Sequence, residues 1–298
     1  MSRTQANKHA AIPYVHFNNA DQVDTGLDIV ELSSLYQKES LDHSPFLPHR
    51  VDFHCLLYIE KGHCQHFIDF NHYPLDAHTC VFINRHQVHA FDLNSRPEGK
   101  LLLITEDFIE KARTNIRTHL FAPMHYFQAS SPVIKLDADV KQSFEALLGE
   151  LLKEHKEDKC DPLMLQLLFS SILLKLDKHR DHGVSNLLSA RQVEQFSEFM
   201  GLLTRHCRTI KSAAEYANMM SMSYKSLNLL CKLVAKKTTK HLIDEEVILQ
   251  AKRELAISQC QIQILAFELG FDELSNFVKY FKKHTGFTPA KFRNCLSS

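Results

Sequence analysis

One segment restricts the fold of this 298-residue chain more than any other. Ile262 to Arg293 reads I-Q-I-L-A-F-E-L-G-F-D-E-L-S-N-F-V-K-Y-F-K-K-H-T-G-F-T-P-A-K-F-R. Ile264 to Leu269 predicts a short helix. Gly270 can take the left-handed conformation that ends it, where a Cβ is penalised. Asp272 can cap the helix that follows. Leu274, Phe277 and Phe281 fall on one side of that helix and predict its inner face. Small Ala266 lets the two helices cross closely. The pattern is a helix-turn-helix. It leaves Asn276, Lys279 and Lys283 on the outer face at spacings of three and four, with Ser275 and Lys282 beside them. Amide and ammonium groups there can reach base edges and phosphates of duplex DNA.

A degenerate copy lies upstream. Ile210 to Met220 predicts its first helix, with Ala217 matching Ala266. Ser221-Met222 is the turn and Ser223 the cap. Leu227, Leu230 and Val234 point inward, and Tyr224, Lys225, Asn228 and Lys232 outward. The stripe Lys225, Asn228, Lys232 repeats the spacings of Asn276, Lys279, Lys283. Between the copies, Ile243, Val247, Ile248, Ala251 and Leu255 mark one longer helix. Such a helix could hold the two outer faces about 34 Å apart, one turn of the duplex. A single unit of this kind is also an ordinary helical hairpin. Two units with matching outer stripes favour DNA.

Charge supports that reading. The formal net charge is zero, but Leu187 to Ser298 carries 16 basic and 10 acidic residues, so the excess positive charge sits in the half that holds the two units. Sixteen of the 19 histidines lie before it. A basic half beside an acidic one suits contact of the C-terminal half alone with a polyanion.

The remaining chain changes texture twice. Residues 1–45 have no sustained period and read as an N-terminal arm with short strands. Residues 46–137 read as the short strands of a small antiparallel barrel or sandwich: Val51 to Glu60, Cys64 to Phe70, Thr79 to Ile83 and Lys100 to Ile104, with Asn71 to Ala77 as a turn region containing Pro74. Residues 138–180 are helical. Val140, Phe144, Leu147, Leu148, Leu151 and Leu152 recur at helical spacing, as do Leu163, Leu165, Leu168, Ile172, Leu173 and Leu176. Their apolar surface is broad, so one of them could bury its stripe on a second copy of the chain, the alternative being that both pack on their own strands. Residues 181–189 are the linker, and 190–298 the helical DNA-binding unit. The expected class is α+β in two domains: an antiparallel β-barrel with helices, then an all-α double helix-turn-helix.

A hydrophobic fraction of 44% excludes a disordered or collagen-like chain. The longest uncharged apolar stretch, Pro162 to Leu174, is too short to cross a bilayer. Met1 to Ala11 has no apolar secretory core. The eight cysteines form no C-x-x-C pair, and several sit in apolar patterns, as reduced structural thiols do. The expected location is the cytoplasm.

With these residues in view, 189–298 resembles the DNA-binding domain of the AraC/XylS family of bacterial transcription regulators. The second unit follows that family's signature through Ala266, Gly270, Phe271, Phe277, Phe281, Lys282, Gly286, Pro289 and Arg293. The first unit matches at Ala217, Ser223, Leu227, Lys232 and Ala251-Lys252. It departs at Ser221 and Lys236, where the family usually has glycine, and at Cys231, where an aromatic is usual. Pro48 to His54, Tyr58 to Gly62 and Asn84 to His89 resemble the cupin-type sensor domain often fused to it. The resemblance implies a small-molecule effector in the barrel and dimerisation through the helices of 138–180. It also implies a promoter as the DNA target, RNA polymerase as the partner acted on, and activation as the usual output. His49, Arg50, His54, Tyr58 and His89 lie where that family lines or rims its barrel.

Eight histidines between residues 46 and 89 raise the question of a metalloenzyme. There is no H-x-H pair. His63 and His66, three apart on one strand, would face opposite sides. Zinc, nucleophile-elbow, P-loop and dinucleotide signatures are absent. No metal, cofactor or catalytic residue is therefore expected. A cupin-type enzyme with a helical appendage is the alternative, and a helical adaptor for proteins a third reading.

Overall fold

The computed structural model describes residues 12–17, 25–37, 44–92, 94–115, 131–157, 159–179, 189–258 and 260–296. The N-terminal half holds strands β1 (Tyr14–Val15), β2 (Leu27–Glu31), β3 (His49–Val51), β4 (His54–Lys61), β5 (His63–Ile68), β6 (Asn71–Asp76), β7 (Thr79–Ile83), β8 (Val88–Ala90), β9 (Glu98–Ile104) and β10 (Val133–Lys135). Helices α1 (Leu32–Gln37), α2 (Glu106–Asn115), α3 (Ala138–His155) and α4 (Pro162–His179) accompany them. The strands form two five-stranded sheets, ordered β1-β3-β8-β5-β6 and β10-β7-β4-β9-β2. Of the barrel and the sandwich that the strand spacing allows, the strands form two separate sheets, antiparallel except for β1 against β3.

Strand β4 explains the layering. Alternate residues face opposite ways along a strand. Cys55, Leu57 and Ile59 join Val81, Ile83, Ile68 and Leu75 in a core shared by both sheets. Leu56 and Tyr58 join Cys80, Phe82, Leu102 and Ile104 on the other face, where α2, α3 and α4 cover them with Phe108, Phe144, Leu148 and Phe169. Burial of each such aromatic or leucine stabilises the fold by roughly 1.5–3 kcal/mol. The stripes read at 138–180 therefore pack largely on their own sheet.

Several expectations change. The segment read as an arm supplies β1, β2 and α1, and β2 pairs with β9 along its whole length. Asn71 to Ala77 is not a turn region but edge strand β6, paired with β5. An edge strand tolerates Pro74 because one side needs no N–H donor. The turn instead lies at Asp69-Phe70, both left-handed, with φ of 46° and 69°. Most of the proposed linker, 181–188, lies outside the described residues.

The C-terminal half is helical: α5 (Ala190–His206), α6 (Ala213–Met219), α7 (Tyr224–Ala235), α8 (Thr239–Ile257), α9 (Ile262–Glu268), α10 (Leu274–Thr285) and α11 (Pro289–Leu296). Ser189 and Gln192 form a reciprocal capping box that starts α5. Helix α8 is central. Its first part packs Leu242, Ile243 and Val247 into the core of the first unit, and its second part packs Ile248, Ala251 and Leu255 into that of the second. Among the described residues no helix is long and apolar enough to cross a membrane.

Candidate nucleic-acid interface and the interior of the sheets

The two helical units, α6–α7 and α9–α10, repeat each other in backbone detail. In the second, Gly270 has φ 70°, its N–H donates to Phe267 O and that of Phe271 to Ala266 O. In the first, Ser221 has φ 52°, its N–H donates to Asn218 O and that of Met222 to Ala217 O. The helices also end alike, at Lys236 (φ 57°) and Gly286 (φ 79°). Ser221 and Lys236 thus hold the left-handed conformation that glycine holds in the other copy, where an L side chain costs about 1–2 kcal/mol.

The units are clamped together. Lys211 Nζ donates to Leu269 O and, at 2.8 Å, to Gly270 O, and lies 4.5 Å from the Phe271 ring. Arg208 pairs with Glu254 at 2.5 Å. Tyr280 of α10 donates to Asp244 of α8 at 2.7 Å.

On α10 the outer residues Ser275, Asn276, Lys279, Lys282 and Lys283 are exposed, while Phe277 and Phe281 are buried. Two sequence expectations shift here. Glu273, not Asp272, occupies the N-cap position, without a side-chain hydrogen bond, and Ser275 donates to it at 3.0 Å. Leu274 is exposed, because it opens the helix before the inner face begins.

On α7, Ser223 caps as expected by accepting from Ser226 N. Leu227, Leu230 and Val234 are buried, and Tyr224, Lys225 and Lys232 are exposed. Asn228 is different. It is half-buried, and its Oδ1 accepts the Thr239 N–H at 3.1 Å, so it caps α8. The reason lies in register. Both helices have 12 residues and start at 224 and 274. Lys225 therefore corresponds to Ser275, Ser226 to Asn276, and Leu229, at 66% exposure, to Lys279. The second turn holds one extra residue before its helix, so the stripes that match by spacing do not match by position. Among the described residues none of Lys225, Lys232, Lys279, Lys282 and Lys283 forms an ion pair, which leaves their charges available to a polyanion.

Inside the N-terminal half, three neighbouring strands bring His49, His66 and His89 together. The His49 and His89 rings lie 4.2 Å apart, and those of His66 and His89 5.6 Å. His49 Nδ1 donates to Leu47 O at 3.0 Å. His66 is fully buried, and its two ring nitrogens have no hydrogen-bond partner among the described residues. Burial first, and His49 second, push its pKa down to about 3, so the ring is neutral at pH 7. Sequence spacing hides His66, since it faces away from His63 on one strand. The alternation of Cys64, His66 and Ile68 could have placed it inside.

The other expected effector residues lie elsewhere. Arg50 donates from Nε to His86 O at 3.0 Å. His54 pairs with Glu106 at 3.1 Å, and this bond, with Arg85, holds the Glu106 pKa down to about 2. Tyr58 faces the helices and donates to Glu145 at 2.7 Å. Burial and that bond push its pKa up. Among the described residues no group of three His, Cys, Asp or Glu is arranged to hold a metal ion. A cleft of ≈ 180 Å³ separates the halves, with Asp69, Tyr73 and Gln87 on one wall and Met200, Leu242 and Glu246 on the other.

Two family models match the chain. One, described as an AraC-like ligand binding domain, covers residues 33–173, and the other, a helix-turn-helix domain, covers 216–294. A curated relative, the HTH-type transcriptional activator RhaS of Yersinia pestis, is 20% identical over 259 residues, 85% of this chain and 91% of the relative. The HTH-type transcriptional activator RhaR of Shigella dysenteriae is 22% identical over 262 residues, 85% and 88% of the two chains. A solved structure of ToxT from Vibrio cholerae, bound to an unsaturated fatty acid, is similar over 90% of this chain and 94% of that one, with 15% identity and a TM-score of 0.42.

Proposed function

This chain belongs to the AraC/XylS family of transcription regulators, and from that premise we propose that it reads a promoter through both helical units as a homodimer. It is a sequence-specific DNA-binding regulator controlled by an effector in its N-terminal half, and not an enzyme. The observation that carries the finer reading is the backbone repeat of α6–α7 in α9–α10 about one shared helix, with free lysines on both outer faces. Asn276 and Lys279 read bases in the second unit. Ser226 and Leu229 take the corresponding places in the first, with Lys225 beside them, and a leucine there can contact only apolar features such as a thymine methyl. Lys232, Lys282 and Lys283 hold phosphates. The protein works in the cytoplasm and acts on RNA polymerase as an activator. Leu163, Met164 and Leu167, all at least 40% exposed on one side of α4, are the surface that a second copy would cover.

Selection of bound duplexes from a random pool, at moderate salt, tests this. The expected result is a site with two elements about one helical turn apart, with the second element more sharply defined. A site with one element removes α7 from base reading, and no enrichment refutes promoter binding by the purified protein. The mass of the same preparation in solution should be that of two chains, and a single-chain mass refutes the homodimer.

The effector-binding residues we infer are His49, His66 and His89. The neutral imidazole of His66 offers one donor and one acceptor, which suits a hydroxyl or amide group better than a bare cation. In a thermal-shift screen of metabolites, an effector should raise Tm of the native chain but not of His66→Leu. Equal shifts in both would move the site out of the sheet interior.

A further inference from the structure

The loop between β5 and β6 has only two residues, since Ile68 pairs with Asn71 across it. Left-handed backbone at both of them, Asp69 and Phe70, is the turn that favours Asn-Gly. Phenylalanine is penalised there, yet its ring has a use in the other half of the molecule. It lies 5.5 Å from the Phe292 ring of α11, and Lys252 Nζ of α8 sits 5.9 Å from one ring and 5.8 Å from the other. Beside it the Asp69 carboxylate accepts from Arg253 Nε at 2.8 Å and Nη2 at 2.6 Å. Arg253 is 3% exposed and Asp69 8%. Gln87 Nε2 and Val88 N donate to the same carboxylate, at 2.6 and 3.1 Å.

We propose that this hairpin tip is an autoinhibitory latch: docked through Asp69 and Phe70, it ties α8 and α11 to the sensor and lowers DNA affinity. The proposal rests on the DNA-binding reading above. Three features give it direction. A buried ion pair offers little net stability because desolvation offsets attraction. Undocking returns both charges to water and regains that desolvation cost, so the contact is poised to open. Docking also neutralises Arg253 and draws Lys252 partly out of water, which removes positive charge from the half that meets a polyanion. Finally, Val88 precedes His89, whose ring lies in the sensor interior. A ligand that shifts β8 would therefore pull the Val88 N–H from Asp69 and bias the latch toward release.

The test uses the full-length chain. Phe70→Gly places in the turn a residue that favours it, so the sensor keeps its fold while the ring contact is lost. Asp69→Asn weakens the ion pair, and Asp69→Arg with Arg253→Asp restores it in reverse. The two single variants should show a larger radius of gyration by small-angle scattering. They should bind the duplex recovered by selection about tenfold more tightly, and the reversed pair should return both values toward the native ones. Opening without tighter binding overturns the latch, as does tighter binding without opening. If the native chain binds the duplex and the variants neither open nor gain affinity, only the latch fails. If no variant, open or closed, binds any duplex, the DNA-binding reading fails with it.

Discussion

Gly270→Ala is expected to destabilise the DNA-binding half by about 2–5 kcal/mol and to abolish site recognition. Two costs add. The residue sits at φ 70°, where a Cβ costs about 1–2 kcal/mol. The added atom would also lie 2.5 Å from Arg208 O and 2.8 Å from Lys211 Nζ. The lysine can swing away, but the Arg208 carbonyl is backbone, and forcing a packed backbone to shift costs about 1–3 kcal/mol. Gly286→Ala is the control. Its φ is 79°, but a Cβ there meets nothing within 4 Å, so only the conformational cost of about 1–2 kcal/mol applies. Denaturant unfolding followed by helical signal should separate the two variants by at least about 1 kcal/mol at similar m. Equal losses would show that the approach of Arg208 to the turn does not matter.

That turn was legible in the sequence because its requirement is local. Only glycine takes a left-handed backbone freely, and Gly270 sits between two apolar patterns of helical period. Ser223, Leu227 and Phe281 were legible for the same reason, since capping and inner-face positions follow from spacing alone. Ser221 and Lys236 looked like departures from the pattern, yet the backbone keeps the left-handed form without glycine. What the sequence hid was set by partners far along the chain. Strand β4 is buried on both faces, so its apolar run gives no alternation to say that Tyr58 faces α3 rather than the other sheet. Asn71 and Pro74 make β6 look like a loop because nothing local marks an edge strand. The turn at Asp69-Phe70 lacks the expected Asn-Gly, and its side chains instead meet the other half of the chain, Asp69 at Arg253, 184 positions away, and Phe70 at Phe292. The spacing match that places Asn228 with the DNA-facing stripe fails because one extra residue precedes α10, and Asn228 caps α8 instead.

The lysines of the outer faces should divide into two kinds by salt. Each phosphate contact that is lost lowers the slope of log K against log salt by about 0.9. Changing Lys232, Lys282 and Lys283 together to Gln should therefore flatten that slope by about 2.7, if each neutralises one phosphate. All three are exposed, so the folded state should lose no more than about 0.5 kcal/mol at each site. The selected sequence should stay the same, since phosphates position a protein on the duplex but carry no sequence. Lys279→Ala should behave otherwise. Lys279 stands between Asn276 and Lys283 on the outer face of α10, where a recognition helix meets base edges. Its loss should cost about 1–3 kcal/mol on the preferred site and relax preference at one position. Anisotropy titrations of the three proteins, native, triple variant and Lys279→Ala, from low to moderate salt, on the selected duplex and on one altered at a single base pair, separate these outcomes. A triple variant with an unchanged slope would remove those lysines from the backbone contacts. An unchanged preference in Lys279→Ala would leave base reading on α10 to Asn276 and Ser275.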